Sequence, residues 1–136
     1  MSLSNIAVVH KAFQAFQSGC LEQAEDYIAS DYLNHAAPDA SEGQGAEEFK
    51  ASVQWVRGAF SELELEVKEL LCTGERVVAR VLVSGRHTGD YLDFAPTGKR
   101  FFTEHVHFFR IRQGKVVEHH MLRDDLGAMT QLGLYP

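Results

Sequence analysis

Apolar residues recur at helical steps in the first half of the chain and at strand steps in the second. Ile6, Val9, Phe13 and Phe16 are spaced by three and four residues, which places them on one face of a helix. Ser4 is suited to cap that helix and Ser18-Gly19 to stop it. Leu21, Ala24 and Ile28 predict a short second helix over 21–29. The segment Asp31-Tyr32-Leu33-Asn34-His35 follows, then a polar stretch from Pro38 to Gly45 filled with turn formers. A third helix is predicted from Ala46 to Phe60, because Ala46, Phe49, Val53, Val56 and Phe60 keep the 3–4 spacing. Glu47 and Glu48 stand in its first turn, where carboxylates favour the helix dipole.

The rhythm then becomes twofold. Leu63, Leu65 and Val67 alternate with Glu62, Glu64, Glu66 and Lys68, the pattern of a half-exposed strand. Further strands are predicted over Val77–His87, Phe101–Arg112 and Lys115–Asp124, with turns at Thr73-Gly74 and Gln113-Gly114 and a loop from Gly89 to Lys99. A short helix over Asp125–Leu132 closes the chain. Helices first and strands last define an α+β class with an antiparallel sheet. A length of 136 residues suits one domain over 1–136.

Composition narrows the partners. The chain is 45% hydrophobic and 24% charged, ordinary for a globular protein. A net charge of −6 argues against nucleic acid, whose phosphates require a basic surface, and against an anionic membrane. The first residues carry no basic, then apolar, leader pattern, and no apolar run is of spanning length, so a cytoplasmic protein is expected. Two cysteines, Cys20 and Cys72, make no disulfide framework and are expected to be reduced and partly buried. Trp55 is expected in the core or at its rim.

Seven histidines carry the chemistry. If Gln113-Gly114 is a two-residue hairpin loop, His107 faces His120, Phe109 faces Glu118, His105 faces Leu122 and Thr103 faces Asp124. All of these then share one sheet face, since side chains alternate. That face mixes imidazoles and carboxylates with Phe101, Phe109 and Leu122, the composition of an apolar pocket with a few convergent polar groups. The other face carries Val106, Phe108, Val117 and Met121, an apolar set expected to be covered in a homodimer, with Glu104 opposite Arg123 as a cross-strand ion pair. His105 and His107, with His120 and Glu118 across from them, also form a metal-like spacing, but a metal-free pocket is the stronger reading of so short a motif. Phosphate-loop, dinucleotide and nucleophile-elbow motifs are absent from the sequence.

In order and spacing, several segments resemble the SnoaL-like polyketide cyclases, or ester cyclases, of the NTF2-like superfamily. They are Tyr32-Leu33-Asn34-His35, then His87-Thr88-Gly89 leading to Pro96-Thr97-Gly98-Lys99-Arg100, then Phe109-Arg110-Ile111 with Gly114 to His119, and finally Asp124-Asp125-Leu126-Gly127 running to Gln131-Leu132-Gly133. The resemblance covers nearly the whole chain. It implies a cone-shaped α+β barrel around an internal cavity, and ring closure by intramolecular aldol condensation without metal or organic cofactor. It assigns the general base to Asp124, and matches His35 and His107 to family pocket positions. Two departures stand out. His120 occupies a position where family members commonly carry Trp, which suggests a smaller or more polar ligand, and Asp93 stands where glycine is frequent.

The combined expectation is a cofactor-independent enzyme acting on a small, carbonyl-rich substrate. Asp124, His35 and His107 are its catalytic candidates, and His105, His120, Glu118, Phe109 and Phe101 its substrate-binding ones. Three alternatives remain. The domain could bind a small molecule without catalysis, it could run hydrolysis, isomerisation or dehydration on the same scaffold, or it could use a metal held by His105, His107 and His120. Asp124 is also placed to cap the last helix, a role that can coexist with catalysis.

Overall fold

The computed structural model describes residues 2–35 and 45–135. The expected polar stretch from Pro38 to Gly45 therefore lies, up to residue 44, outside the described residues. The elements are α1 (Ser2–Ser18), a 3-10 turn (Ala24–Asp26), β1 (Ile28–Asn34), α2 (Gly45–Ala59), β2 (Phe60–Thr73), β3 (Arg76–His87), β4 (Arg100–Arg112), β5 (Lys115–Arg123) and α3 (Asp125–Gln131). The five strands form one curved sheet in the order β1-β5-β4-β3-β2. Neighbours β2 to β5 are antiparallel, and β1 runs parallel to β5.

The edge strand β1 corrects the expected helix over 21–29. Only one 3-10 turn forms there, and Ile28 already pairs with Val116. Ala24 and Ile28 are compatible with a helical step. However, Tyr27, Ile28 and Tyr32 are all buried, and these β-favouring residues cover the otherwise unpaired edge of β5. The sheet is thus mixed at one edge instead of wholly antiparallel.

Val9, Ala12 and Phe13 of α1, and Phe49 and Val53 of α2, are buried against Val77, Ala79, Val81 and Val83 of β3 and Phe101, Phe109 and Ile111 of β4, within one core cluster. Register shifts in β2, between Ser61 and Glu64 and between Val67 and Glu69, bend that strand. The end of β3 is clamped to the end of α2, because Thr88 and Gly89 both donate to the Ala59 carbonyl, at 3.1 and 3.0 Å. A Cβ on Gly89 would collide with the Gly58 carbonyl, so this approach requires glycine. Both cysteines are free, with Cys20 exposed and Cys72 half-buried. Among the described residues, no helix is long and apolar enough to cross a membrane.

The hairpin of β4 and β5 departs from the simple register. Arg112↔Lys115 and Ile111↔Val116 pair as a two-residue turn dictates, but the next pair is Arg110↔Glu118. Val117 is the extra residue of a bulge, and every later β5 side chain changes face. Phe109 therefore faces His119, and His107 faces Met121. The expected Glu104–Arg123 pair does not form. Glu104 instead binds Arg80 at 2.8 Å, and Arg123 binds Asp125 at 3.3 Å.

Candidate active site

Between the concave sheet face and the helices lies a cavity of about 550 Å³. Its wall is largely aromatic and aliphatic, including Phe13, Phe16, Phe49, Trp55, Phe60, Phe101 and Phe109. Trp55 sits at the rim, 43% exposed, with its ring 5.7 Å from that of Tyr91. Of the residues expected to bind or transform a ligand, Phe101, His105, His107, Phe109 and Asp124 line this cavity. His35, Glu118 and His120 do not. The bulge at Val117 turns Glu118 and His120 to the convex face, where the ring of His35 stacks on that of His120.

The bulge brings His119 inward in place of His120. His107 Nδ1 and His119 Nε2 are 2.8 Å apart in a buried hydrogen bond. The His119 ring lies nearly flat against Phe109, at 4.6 Å and 8°, and Phe13 meets His107 edge-on at 4.9 Å. Burial lowers the pKa of His119 to about 3, with the nearby His120 and His35 acting in the same direction. Burial also lowers His105 to about 4, helped by the Arg123 guanidinium that faces it across the ladder. His107 lies well below the usual imidazole range, again through burial first and then its neighbours His119, His105 and Arg123. All three rings are therefore neutral near pH 7. Each offers one N–H donor and one lone pair, so within the His107–His119 bond one ring donates and the other accepts. His107 Nε2 is buried without a partner among the described residues.

Asp124 follows β5 and is exposed where the cavity meets solvent. One carboxylate oxygen, Oδ1, accepts from Gly127 N at 2.8 Å and caps α3. A Cβ on Gly127 would push that carboxylate out of its present place. The cap occupies Oδ1, and Oδ2 carries no hydrogen bond of the cap.

Further polar residues of the wall, Glu48, Ser52, Asn34 and Tyr32, escaped the sequence reading. Glu48 on α2 is only 8% exposed and lines the cavity with Ser52 and Trp55. Their i, i+4, i+7 spacing was a readable signal for a shared helix face. Asn34 on β1 also lines it and donates to Ser52 Oγ at 3.1 Å. Burial raises the pKa of Tyr32, with Glu48 adding to the effect, so its phenol stays protonated. For His119, the signal was the adjacent pair Val116-Val117, both buried, which breaks strand alternation.

The His87 to Lys99 motif serves structure. His87 is fully buried, and its Nδ1 accepts from Thr97 N at 3.2 Å and lies 3.1 Å from Thr97 Oγ1. Backbone bonds His87 N→Lys99 O and Gly98 N→His87 O, both 2.8 Å, complete the knot. This loop holds Tyr91 and Leu92 at the cavity wall.

An aromatic cavity behind two α-helices, with an aspartate where the last strand enters a short helix, defines a class of small α+β domains built around an internal cavity. The family model of the SnoaL-like polyketide cyclases matches residues 7–132, and the chain belongs to that family. Among characterised relatives, it is 36% identical over 132 residues to aklanonic acid methyl ester cyclase DnrD of Streptomyces peucetius, covering 96% of this chain and 91% of the relative. It is 38% identical over 120 residues to nogalonic acid methyl ester cyclase of Streptomyces nogalater, covering 88% and 90%. Among solved structures, TsrD of Streptomyces laurentii superposes with a TM-score of 0.90 at 24% identity, covering 99% and 98% of the two chains, and shares the fold. IdmH of Streptomyces antibioticus superposes with a TM-score of 0.82 at 26% identity, covering 95% and 98%.

Proposed function

We propose that this protein closes a ring in a polyketide ester by intramolecular aldol chemistry, with Asp124 as general base. The observation that carries the reading is Asp124 itself, an exposed carboxylate at the mouth of an aromatic cavity of about 550 Å³, a volume in the range of small-molecule sites. A carbon flanked by two carbonyls is acidic enough for a carboxylate to deprotonate. Asp124 takes that proton, the resulting enolate carbon attacks a second carbonyl of the same molecule, and the alkoxide so formed recovers the proton. His105 and the His107–His119 pair, being neutral, donate hydrogen bonds to developing oxygen charge without first neutralising the base. The names of DnrD and the Streptomyces nogalater relative, each a cyclase of a methyl ester, support this reading.

Aklanonic and nogalonic acid methyl esters are the substrates to test, with chromatography of the ring-closed product. Wild type is expected to turn over at least one of them. Asp124→Asn should reduce turnover by about 10²–10⁴-fold, and Glu48→Gln by much less. The reverse ranking would move the base to Glu48. Binding without turnover in wild type would leave a non-catalytic binding module, and neither binding nor turnover would refute the reading.

The convex sheet face supports a second proposal, a homodimer. Phe102, Phe108 and Leu122 are 59%, 40% and 67% exposed there, with Val106 opposite Leu122 and beside Phe108, and Glu104 between Val106 and Phe102. The bulge alters the expected membership, since Met121 lines the cavity and Val117 is buried.

A further inference from the structure

We propose that His35, Glu118 and His120 form a binding site for Zn²⁺ on the convex sheet face, separate from the cavity. The three side chains each offer a ligand atom, and these atoms lie within 4.8 Å of one another. The backbone sets this up. Glu118 and His120 are two apart on β5 and share a face, and parallel pairing of Asn34 with His119 carries His35 alongside them. His35 N donates to the His119 carbonyl at 2.8 Å, fixing the end of β1 against β5. His35 Nε2 is 3.1 Å from Glu118 Oε2, and the two imidazoles stack at 4.2 Å and 13°.

Two imidazoles and a carboxylate are a common donor set for zinc, with water in the fourth position. Tetrahedral ligands at about 2.0 Å stand roughly 3.3 Å apart, so the two exposed imidazoles must turn out of their stack for their in-plane lone pairs to converge on the ion beside the half-buried Glu118. Arg110 binds the other carboxylate oxygen of Glu118 and also pairs with Glu75 at 3.9 Å. It therefore orients the ligand from behind while its own charge is shared between two carboxylates. This set differs from the His105, His107 and His120 combination considered from sequence, because the bulge separates His120 from the other two.

The test is zinc chloride titration of tag-free protein by calorimetry, with Co²⁺ absorption reporting coordination. Wild type should bind one ion per chain. His120→Phe keeps the ring stack but removes the nitrogen, and Glu118→Gln keeps the shape but removes the charge. Each should weaken binding by roughly tenfold or more, with unchanged circular dichroism. Zinc should also raise the melting temperature of wild type and leave that of His120→Phe unmoved. Absence of stoichiometric binding, or equal affinity in His120→Phe, would overturn the proposal. Neither result depends on cyclase activity.

Discussion

The imidazoles of His105, His107 and His119 are held neutral by burial, and this couples folding to pH. In the unfolded chain a histidine binds a proton near pH 6.5. In the fold, His105 waits until about 4 and His119 until about 3. Between those limits the unfolded state holds more protons, so stability rises with pH and is lost as pH falls below about 6.5. The loss should be on the order of 1 kcal/mol per pH unit for each such histidine. Urea denaturation at a series of pH values from 7.5 to 5 measures it. His119→Phe removes one titrating ring and retains an aromatic surface beside Phe109, so its slope should be shallower. An unchanged slope would contradict the assignment. His105, His107, Phe101 and Phe109 were readable as cavity residues because they alternate along β4 and share its inner face. His119 was not, because its face depends on one extra residue, Val117, earlier in its own strand.

At the scale of elements, the join of β5 and α3 makes Asp124 a helix cap, and this role can be separated from the proton abstraction proposed for it. Capping needs a side-chain oxygen to accept from Gly127 N, which asparagine also supplies. Proton abstraction needs a carboxylate. Asp124→Ala should therefore cost about 1 kcal/mol of stability, while Asp124→Asn should cost only a small part of that. Thermal melts of the two variants beside wild type check this ranking. Equal destabilisation would mean that the side chain acts by more than capping. Helices α1 and α2 and strand β2 were legible from hydrophobic period, and β3, β4, β5 and α3 from the turns that bound them, to within a few residues at most ends. β1 was not, because Ala24 and Ile28 satisfy a helical step locally and only the open edge of β5 decides for strand.

At the scale of the whole molecule, the convex face of the sheet remains to be covered. Helices α1 and α2 cover the concave side. On the other side Val106 pairs with Leu122 and has Phe108 next to it on the same face of β4, while Phe102 lies beyond Glu104. Around them, charges are neutralised within the chain. Arg80 binds Glu69 and Glu104, and Glu62 binds Arg86 and Arg100. An apolar strip bordered by internally paired charges can meet a second copy of itself across a twofold axis without burying unpaired charge. Wild type is therefore expected to sediment as a dimer at micromolar concentration. Leu122→Arg places a cation in the strip, and it meets its own copy across the axis. It should shift the protein to monomer with its circular dichroism preserved, because Leu122 is solvent-exposed within the protomer. A monomeric wild type, or a Leu122→Arg variant that remains a dimer, would place the contact elsewhere or remove it. If the monomeric variant keeps the turnover of wild type, the cavity works within one chain, and if it loses turnover with its fold intact, the second copy completes it.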